Sequence, residues 1–247
     1  MVIQIKKYVR AAVDCLYPRR CPICHDIVMP KGSLLCTGCR QAVKPIEEPR
    51  CKSCGKKLMN EQSEFCLDCT QKTHHFDQGL GIFSYETIMK ESILKFKYDG
   101  RREYAHYYAW AMVHYEGRQL KLWKPDVILP VPVHKKRRKK RGYNQAEELG
   151  KWLEHYTGIP MRADAVFRVV ETAPQKKLDP AERRRNLGKA FMINPLYLRD
   201  NRLPWKTVLI VDDIYTTGST IDNISKILKK NGVRKVYFMT ICGGKGL

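Results

Sequence analysis

Eight cysteines constrain the N-terminal part of this chain more than anything else in it. They fall at 21, 24, 36, 39, 51, 54, 66 and 69, which is Cys-x2-Cys-x11-Cys-x2-Cys written twice with an offset of 30 residues. Zinc takes four soft ligands in a tetrahedron, and a Cys-x2-Cys turn presents two thiolates from one knuckle, so two knuckles close one site. Cys21, Cys24, Cys36, Cys39, Cys51, Cys54, Cys66 and Cys69 therefore predict two structural zinc sites, each fully ligated and with no open position for a substrate water. The spacing permits sequential or interleaved pairing of the knuckles. The repeat favours the sequential one, two copies of a single ribbon. Disulfides and an iron–sulfur cluster are the weaker readings, because a reducing cytosol turns paired cysteines into metal ligands more often than crosslinks. Gly38 and Gly55 beside the knuckles suit tight turns, since glycine accepts positive φ. Cys15 and Cys242 sit in apolar neighbourhoods and read as core thiols.

Composition bounds the partners. The 247 residues carry 46 Lys+Arg against 25 Asp+Glu, a net charge of +21, with 43% hydrophobic residues. That is enough apolar material for a core and a length for one or two domains. The charge favours polyanions: nucleic acid, an anionic membrane face or a phosphorylated substrate. No run approaches the ~18 apolar residues of a membrane span, and the first residues lack the marks of a signal peptide, so a cytoplasmic protein is expected. Residues 1–18 place Ile5, Val9, Ala12 and Leu16 beside Lys6, Lys7 and Arg10, a basic amphipathic helix. It packs on the zinc region or, alternatively, makes a peripheral contact at the inner face of the membrane. Residues 19–75 hold too few large apolar side chains for a core of their own, so metal must hold them. The texture changes at the polar stretch 71–78, which divides the chain into 1–75 and 76–247; His74 and His75 are read as linker residues.

The second region alternates short apolar strands with helical periods. Strands are expected at 79–85, 126–133, 165–170, 207–214 and 235–242, and helices at 86–98, 102–118, 144–156 and 219–231, with a basic loop after 133. This is the pattern of an α/β fold with parallel β-α-β units, whose ligands gather at the carboxyl ends of the strands. Tyr104, Tyr107, Tyr108, Ala111 and Tyr115 recur at helical spacing and read as a core face rather than a base-stacking platform.

VLIVDDIYTTGST (208–220) leads four apolar strand formers into Asp212 and Asp213, and then into a hydroxyl-rich turn that opens a helix. Backbone N–H groups and hydroxyls over Thr216, Thr217, Gly218, Ser219 and Thr220 form a cradle for phosphate at the positive end of a helix. The paired carboxylates would repel phosphate and are suited instead to accept from neighbouring sugar hydroxyls. A sugar phosphate fits this loop.

The stretch resembles the signature of type I phosphoribosyltransferases, in which two acidic residues hold the ribose hydroxyls of phosphoribosyl diphosphate (PRPP) and the Thr-rich turn holds its 5′-phosphate. With PVPVHKK (130–136), RGYNQAEELG (141–150), TAPQKKL (172–178) and ERRRNLGKAF (182–191), the chain resembles the ComF family of bacterial competence proteins over nearly its whole length. That resemblance implies a type I phosphoribosyltransferase-like parallel sheet flanked by helices, with an N-terminal double zinc ribbon. It implies that Asp212 and Asp213 orient ribose, that residues 216–220 hold the 5′-phosphate, and that His134, Lys135 and Lys136 approach the diphosphate. Residues 172–189 would form a hood bringing Arg183 and Arg184 over the leaving group, and Mg²⁺ would accompany PRPP. In the purine salvage enzymes the position of Thr216 is an aspartate that takes a proton from the incoming base. Threonine cannot do so near neutral pH, so the acceptor differs or the site binds without turnover.

Lys135, Lys136, Arg137, Arg138, Lys139, Lys140 and Arg141 are seven consecutive cations. A diphosphate needs about two or three, and the rest read as a solvated loop or as a track for the phosphates of single-stranded DNA. The family resemblance implies DNA uptake in natural transformation, with the helicase-like ATPase ComFA as a partner. The alternative is an active phosphoribosyltransferase acting on an unidentified base or amine.

Overall fold

The computed structural model describes residues 18–169 and 190–244. The amphipathic N-terminal segment with Cys15, and Arg183 and Arg184 of the expected hood, lie outside the described residues.

The strands are β1 (Gln78–Ser84), β2 (Val127–Pro130), β3 (Val166–Arg168), β4 (Phe191–Ile193), β5 (Thr207–Tyr215) and β6 (Lys235–Gly243). The α-helices are α1 (Leu67–Gln71), α2 (Thr87–Tyr98), α3 (Tyr104–Trp123), α4 (Lys135–Arg141), α5 (Gln145–Thr157) and α6 (Ser219–Lys230). Four strands make one parallel sheet in the order β1-β6-β5-β2. The run Val208, Leu209, Ile210 and Val211 is wholly buried, as expected of a parallel strand covered on both faces.

Alternation along β5 splits the interior into two cores. Leu209 and Val211 face the helical side, where Ile93 and Phe96 of α2, Tyr104, Tyr108 and Met112 of α3, and Leu149 and Leu153 of α5 are buried. Val208 and Ile210 face α6, whose Ile221, Ile224 and Leu228 recur at helical spacing and bury on the sheet. Each such side chain contributes on the order of 1.5–3 kcal/mol on burial. Cys242 is buried in the first core, as its apolar neighbourhood suggested.

The ribbon region merges with these cores. Ile23, Val28, Leu35 and Val43 join the helical side, while Leu58 and the buried Cys51, Cys54 and Cys66 join the α6 side. Both ribbons also bond to β1, an edge strand: Ile46 N–H donates to the Ile82 carbonyl at 2.7 Å and Gly79 N–H to the Ser53 carbonyl at 2.8 Å. The opposite edge is covered at β2, where Ile128 N–H donates to Pro160 O at 2.9 Å and Arg162 N–H to Ile128 O at 3.0 Å. Neither edge is left as a bare row of unpaired backbone groups.

Two expectations change. The strand expected at 165–170 does not join the parallel sheet: Val166–Arg168 pairs antiparallel with Phe191–Ile193 in a separate two-stranded sheet. The β2 edge it would have needed is taken by residues 160–162. The expected basic loop is a helix, α4. Lys and Arg are good helix formers, the His134 side chain caps the start by accepting from Lys136 N–H at 3.4 Å, and Gly142 ends it at φ 78°.

Candidate functional site

The first quartet is Cys21, Cys24, Cys36 and Cys39, and the second is Cys51, Cys54, Cys66 and Cys69, so the knuckles pair sequentially. In each, all four sulfurs lie within 4.8 Å of one another. The Cys24–Cys36 and Cys54–Cys66 Sγ separations are 3.9 and 3.6 Å. A tetrahedron with corners about 2.3 Å from a central zinc has an edge of about 3.8 Å. Both quartets therefore fit zinc, which would supply the charge that four crowded thiols need in order to ionise together. Burial, with the neighbouring Cys24 and Cys21 thiols, pushes the Cys39 thiol up to about 12. Binding zinc releases such protons and turns the binding energy into folding energy. Gly55 adopts φ 70°, and a Cβ there would lie 2.6 Å from the Gly79 carbonyl oxygen. Gly38 has neither constraint: its φ is not positive and a Cβ would meet open space.

The second site is at the carboxyl edge of the sheet. β2 and β5 are neighbours, with Pro130 opposite Val211, so the chain leaving β2 into α4 and the chain leaving β5 into α6 emerge side by side. Thr216 and Thr217 are exposed, Gly218 turns at φ 74°, and α6 starts at Ser219. A Cβ on Gly218 would lie 2.4 Å from the Tyr215 hydroxyl, so both the backbone and the packing require glycine here. Thr217 and Ser219 hydroxyls are 3.2 Å apart and share a hydrogen bond. The first-turn N–H groups of α6 lie beside them, a favourable arrangement for an anion.

Asp212 and Asp213 occupy different environments. Asp213 is buried and pairs with Lys97 of α2 at 3.0 Å. Asp212 accepts from Asp213 N–H at 2.8 Å, and burial together with the Asp213 charge pushes its carboxyl up to about 8. Lys97 and Arg168 partly counter this. The Arg168 guanidinium itself is held below its ordinary value by burial and by Arg137, with Asp212 acting in the other direction. A cavity of about 770 Å³ opens beside this edge, lined by Pro132–Lys135, Arg138, Glu147, Ala163, Asp164 and Val166–Val169.

The cations of α4 are not equivalent. Arg138 makes two bonds to the Glu147 carboxylate, at 2.9 and 3.0 Å. Arg141 donates to Gln145 at 3.1 Å and to the Tyr98 hydroxyl at 3.2 Å. Lys135, Lys136, Arg137, Lys139 and Lys140 are exposed. His74 stacks on Phe76 and lies 3.6 Å from Asp222 of α6, so it is part of the packing between the ribbons and α6. Sequence reading missed Lys97 and Arg168. The arginine inside the apolar run AVFRVV was the available signal for one of them; Lys97 carried none, because its partner lies 116 residues away in sequence.

Residues 12–70 match the double zinc ribbon domain and residues 172–246 the phosphoribosyl transferase domain. Competence protein F of Haemophilus influenzae is 34% identical over 221 residues, 88% of this chain and 93% of that protein. The chain belongs to the ComF family. Other relatives within reach of this ComF protein are DNA utilization protein YhgH of Salmonella typhimurium, 30% identical over 72% of this chain and 77% of that one. Competence protein ComFC of Streptococcus pneumoniae is 27% identical over 83% of this chain and 85% of its own length. Among the described residues of this ComF chain, no helix is long and apolar enough to cross a membrane.

Proposed function

We propose that this ComF protein serves DNA uptake in natural transformation, binding single-stranded DNA and holding PRPP at the carboxyl edge of its sheet. The observation that carries this reading is the adjacency of two anion-seeking elements on neighbouring strands: the Thr216–Thr220 turn after β5 and the cationic α4 after β2. The turn takes the 5′-phosphate, Asp212 and Asp213 face the ribose hydroxyls, and His134, Lys135 and Lys136 attend the diphosphate with its Mg²⁺. Lys135, Lys136, Arg137, Lys139 and Lys140, exposed like Arg138 but not bonded to Glu147 as it is, extend the phosphate track outward to DNA. Residues 1–75 act as the ribbon unit and 76–247 as the ligand-holding unit, with a ComFA-type ATPase as the expected partner. The second reading, turnover with a base or amine, is favoured by the cavity of about 770 Å³ that His134, Lys135 and Arg168 help to line, within the size range of small-molecule pockets.

The test is a thermal shift with Mg²⁺ and PRPP. A rise that disappears in the Asp212→Asn, Asp213→Asn double variant supports the site; no rise in the unaltered protein refutes it. Diphosphate release across a panel of bases and amines separates turnover from binding. For DNA, replacing Lys135, Lys136, Arg137, Lys139 and Lys140 by Gln, sparing Arg138 and Arg141, should flatten the salt dependence by about 0.7 per lost phosphate contact. Affinity independent of salt would contradict the electrostatic part.

Asp212 also makes a pH prediction without ligand. The unfolded carboxyl ionises near pH 4 while the folded one keeps its proton until about 8. The group therefore costs stability increasingly as pH rises through that window, and costs nothing below it. Asp212→Asn should stabilise the fold at pH 8 by on the order of 1–3 kcal/mol and leave it unchanged at pH 4. Equal melting shifts at both pH values would refute the raised carboxyl.

A further inference from the structure

The aromatic helix α3 is only partly core. Tyr104, Tyr107 and Tyr108 are buried, but the rings continue outward along one side of the helix. Tyr107 stacks with Trp110 at 6.1 Å between centroids and 26° between planes, and Trp110 stacks with His114 at 4.5 Å and 13°. Tyr115, 38% exposed, stands edge-on to His114 at 5.0 Å and 74°. Trp110 is half-buried and His114 is exposed, so the run of rings starts in the core and ends at the surface.

This end faces the first zinc ribbon across a groove of about 410 Å³, lined on the ribbon side by Gly32–Leu35 and the exposed Arg40. A second groove of about 290 Å³ shares Gly32 and Ser33 with it and adds Arg19 and Lys31. Among the described residues, no carboxylate lines either groove. Glu116, the acidic residue next along α3, is already paired with Arg50. Flat rings at the surface, cations along both grooves and no acidic group make a chemistry for unpaired bases on a phosphate chain: the bases stack on the rings and the cations follow the backbone. A duplex keeps its base faces stacked on one another and has none to offer. An acidic peptide would satisfy the cations but leave the rings without a matching partner.

We infer that the groove between the first zinc ribbon and α3 is a base-stacking site for single-stranded DNA, with bases continuing the Trp110–His114 stack and Arg40 taking a phosphate. The inference rests on the single-strand reading above and deepens it, because it separates base stacking, at the first ribbon, from the charge of α4.

The experiment uses the full zinc-loaded chain and a labelled oligothymidylate of roughly 16 nucleotides, within the usual span of single-strand sites. Trp110→Ala and His114→Ala should each weaken binding about tenfold, the loss expected for one stacked base, with the salt slope unchanged. Arg40→Gln should lower that slope by about 0.7. An abasic strand of equal length should bind the unaltered protein at least as weakly as oligothymidylate binds Trp110→Ala. Zinc content and melting temperature are checked for every variant. Independently of any variant, photo-cross-linking of 4-thiothymidine to the unaltered chain should label residues 107–115. Unchanged affinity in folded Trp110→Ala and His114→Ala, or cross-links confined to other segments, would overturn the inference while leaving single-strand binding in place. If the unaltered chain binds no oligothymidylate, the single-strand reading falls, and the stacking site with it.

Discussion

Cys21 and Cys51 head two copies of one ribbon, and several backbone bonds recur in both copies. Cys21 N–H donates to Asp26 O at 2.7 Å and Cys51 N–H to Lys56 O at 2.8 Å. His25 N–H donates to Cys21 O at 2.9 Å and Gly55 N–H to Cys51 O at 2.8 Å; Ser33 to Pro30 and Ser63 to Asn60 both measure 3.2 Å. Even the left-handed position recurs, at φ 68° for His25 and 70° for Gly55. The surroundings differ. In the first quartet only Cys21 is buried and Cys24 is exposed, whereas in the second Cys51, Cys54 and Cys66 are all buried. The first ribbon packs toward α3, with His25 bonded to the Tyr104 hydroxyl at 3.0 Å. The second packs under the turn after β5. Its buried Lys56 pairs with Asp68 at 2.9 Å and lies 5.5 Å from the centre of the Tyr215 ring, the side chain that fixes Gly218. A repeat thus sets a shape, and the place where each copy docks sets its task.

Breaking one quartet at a time gives the largest contrast. Cys24→Ser and Cys54→Ser should each reduce zinc from about two to about one per chain by elemental analysis. Cys54→Ser should cost ~3–5 kcal/mol, as loss of a buried metal site does, and remove the thermal response to Mg²⁺ and PRPP. Cys24→Ser should cost less and keep that response. Equal losses in both variants would show that burial of the quartet does not distinguish the ribbons.

The left-handed pair sharpens the comparison at intermediate size. Gly55→Ala places a Cβ against the β1 backbone as well as at positive φ, and should cost ~2–4 kcal/mol in denaturant unfolding. His25→Gly relieves a similar conformation but gives up the Tyr104 bond, so the two effects of ~1 kcal/mol each nearly cancel. A large loss in His25→Gly would mean that the first ribbon depends on that bond more than the second depends on its close approach.

The smallest effect concerns the residues one step further on. Lys56→Met removes the partner of Asp68 and a cation beside Tyr215, and should cost ~1–2 kcal/mol. Asp26→Asn, at the matching exposed position, should stay within ~0.5 kcal/mol. Comparable unfolding midpoints for the two variants would remove Lys56 from the account of the loop.

Much of the site was legible early because its signals are local. The Cys-x2-Cys spacing, the apolar run into Asp212 and Asp213, and the glycine before α6 all act over a few residues. The cationic run 135–141 was misread as a loop, because its charge hides a good helix propensity that His134 and Gly142 complete at the two ends. Arg138 and Arg141 could not be told from their neighbours, since Glu147 and Tyr98 select them only after α4, α5 and α2 have packed. The strand expected at 165–170 was assigned to the parallel sheet because a short apolar run does not say which edge is vacant. Trp110 and His114 were passed over beside the tyrosines, since helical spacing identifies a face of α3 but not what lies opposite its outer end.

The sequence by itself determined two cysteine quartets, a parallel α/β unit and a glycine-gated turn after two carboxylates, because ligand spacing, strand alternation and backbone φ are set by neighbours along the chain. Only the tertiary structure decided that the two ribbons join opposite cores, and that Lys97 claims Asp213 while burial and the Asp213 charge push the Asp212 carboxyl upward. The same folding turned the outer end of α3 toward the first ribbon. Those outcomes depend on which surfaces meet when apolar area is buried, and residues far apart in the chain settle that together.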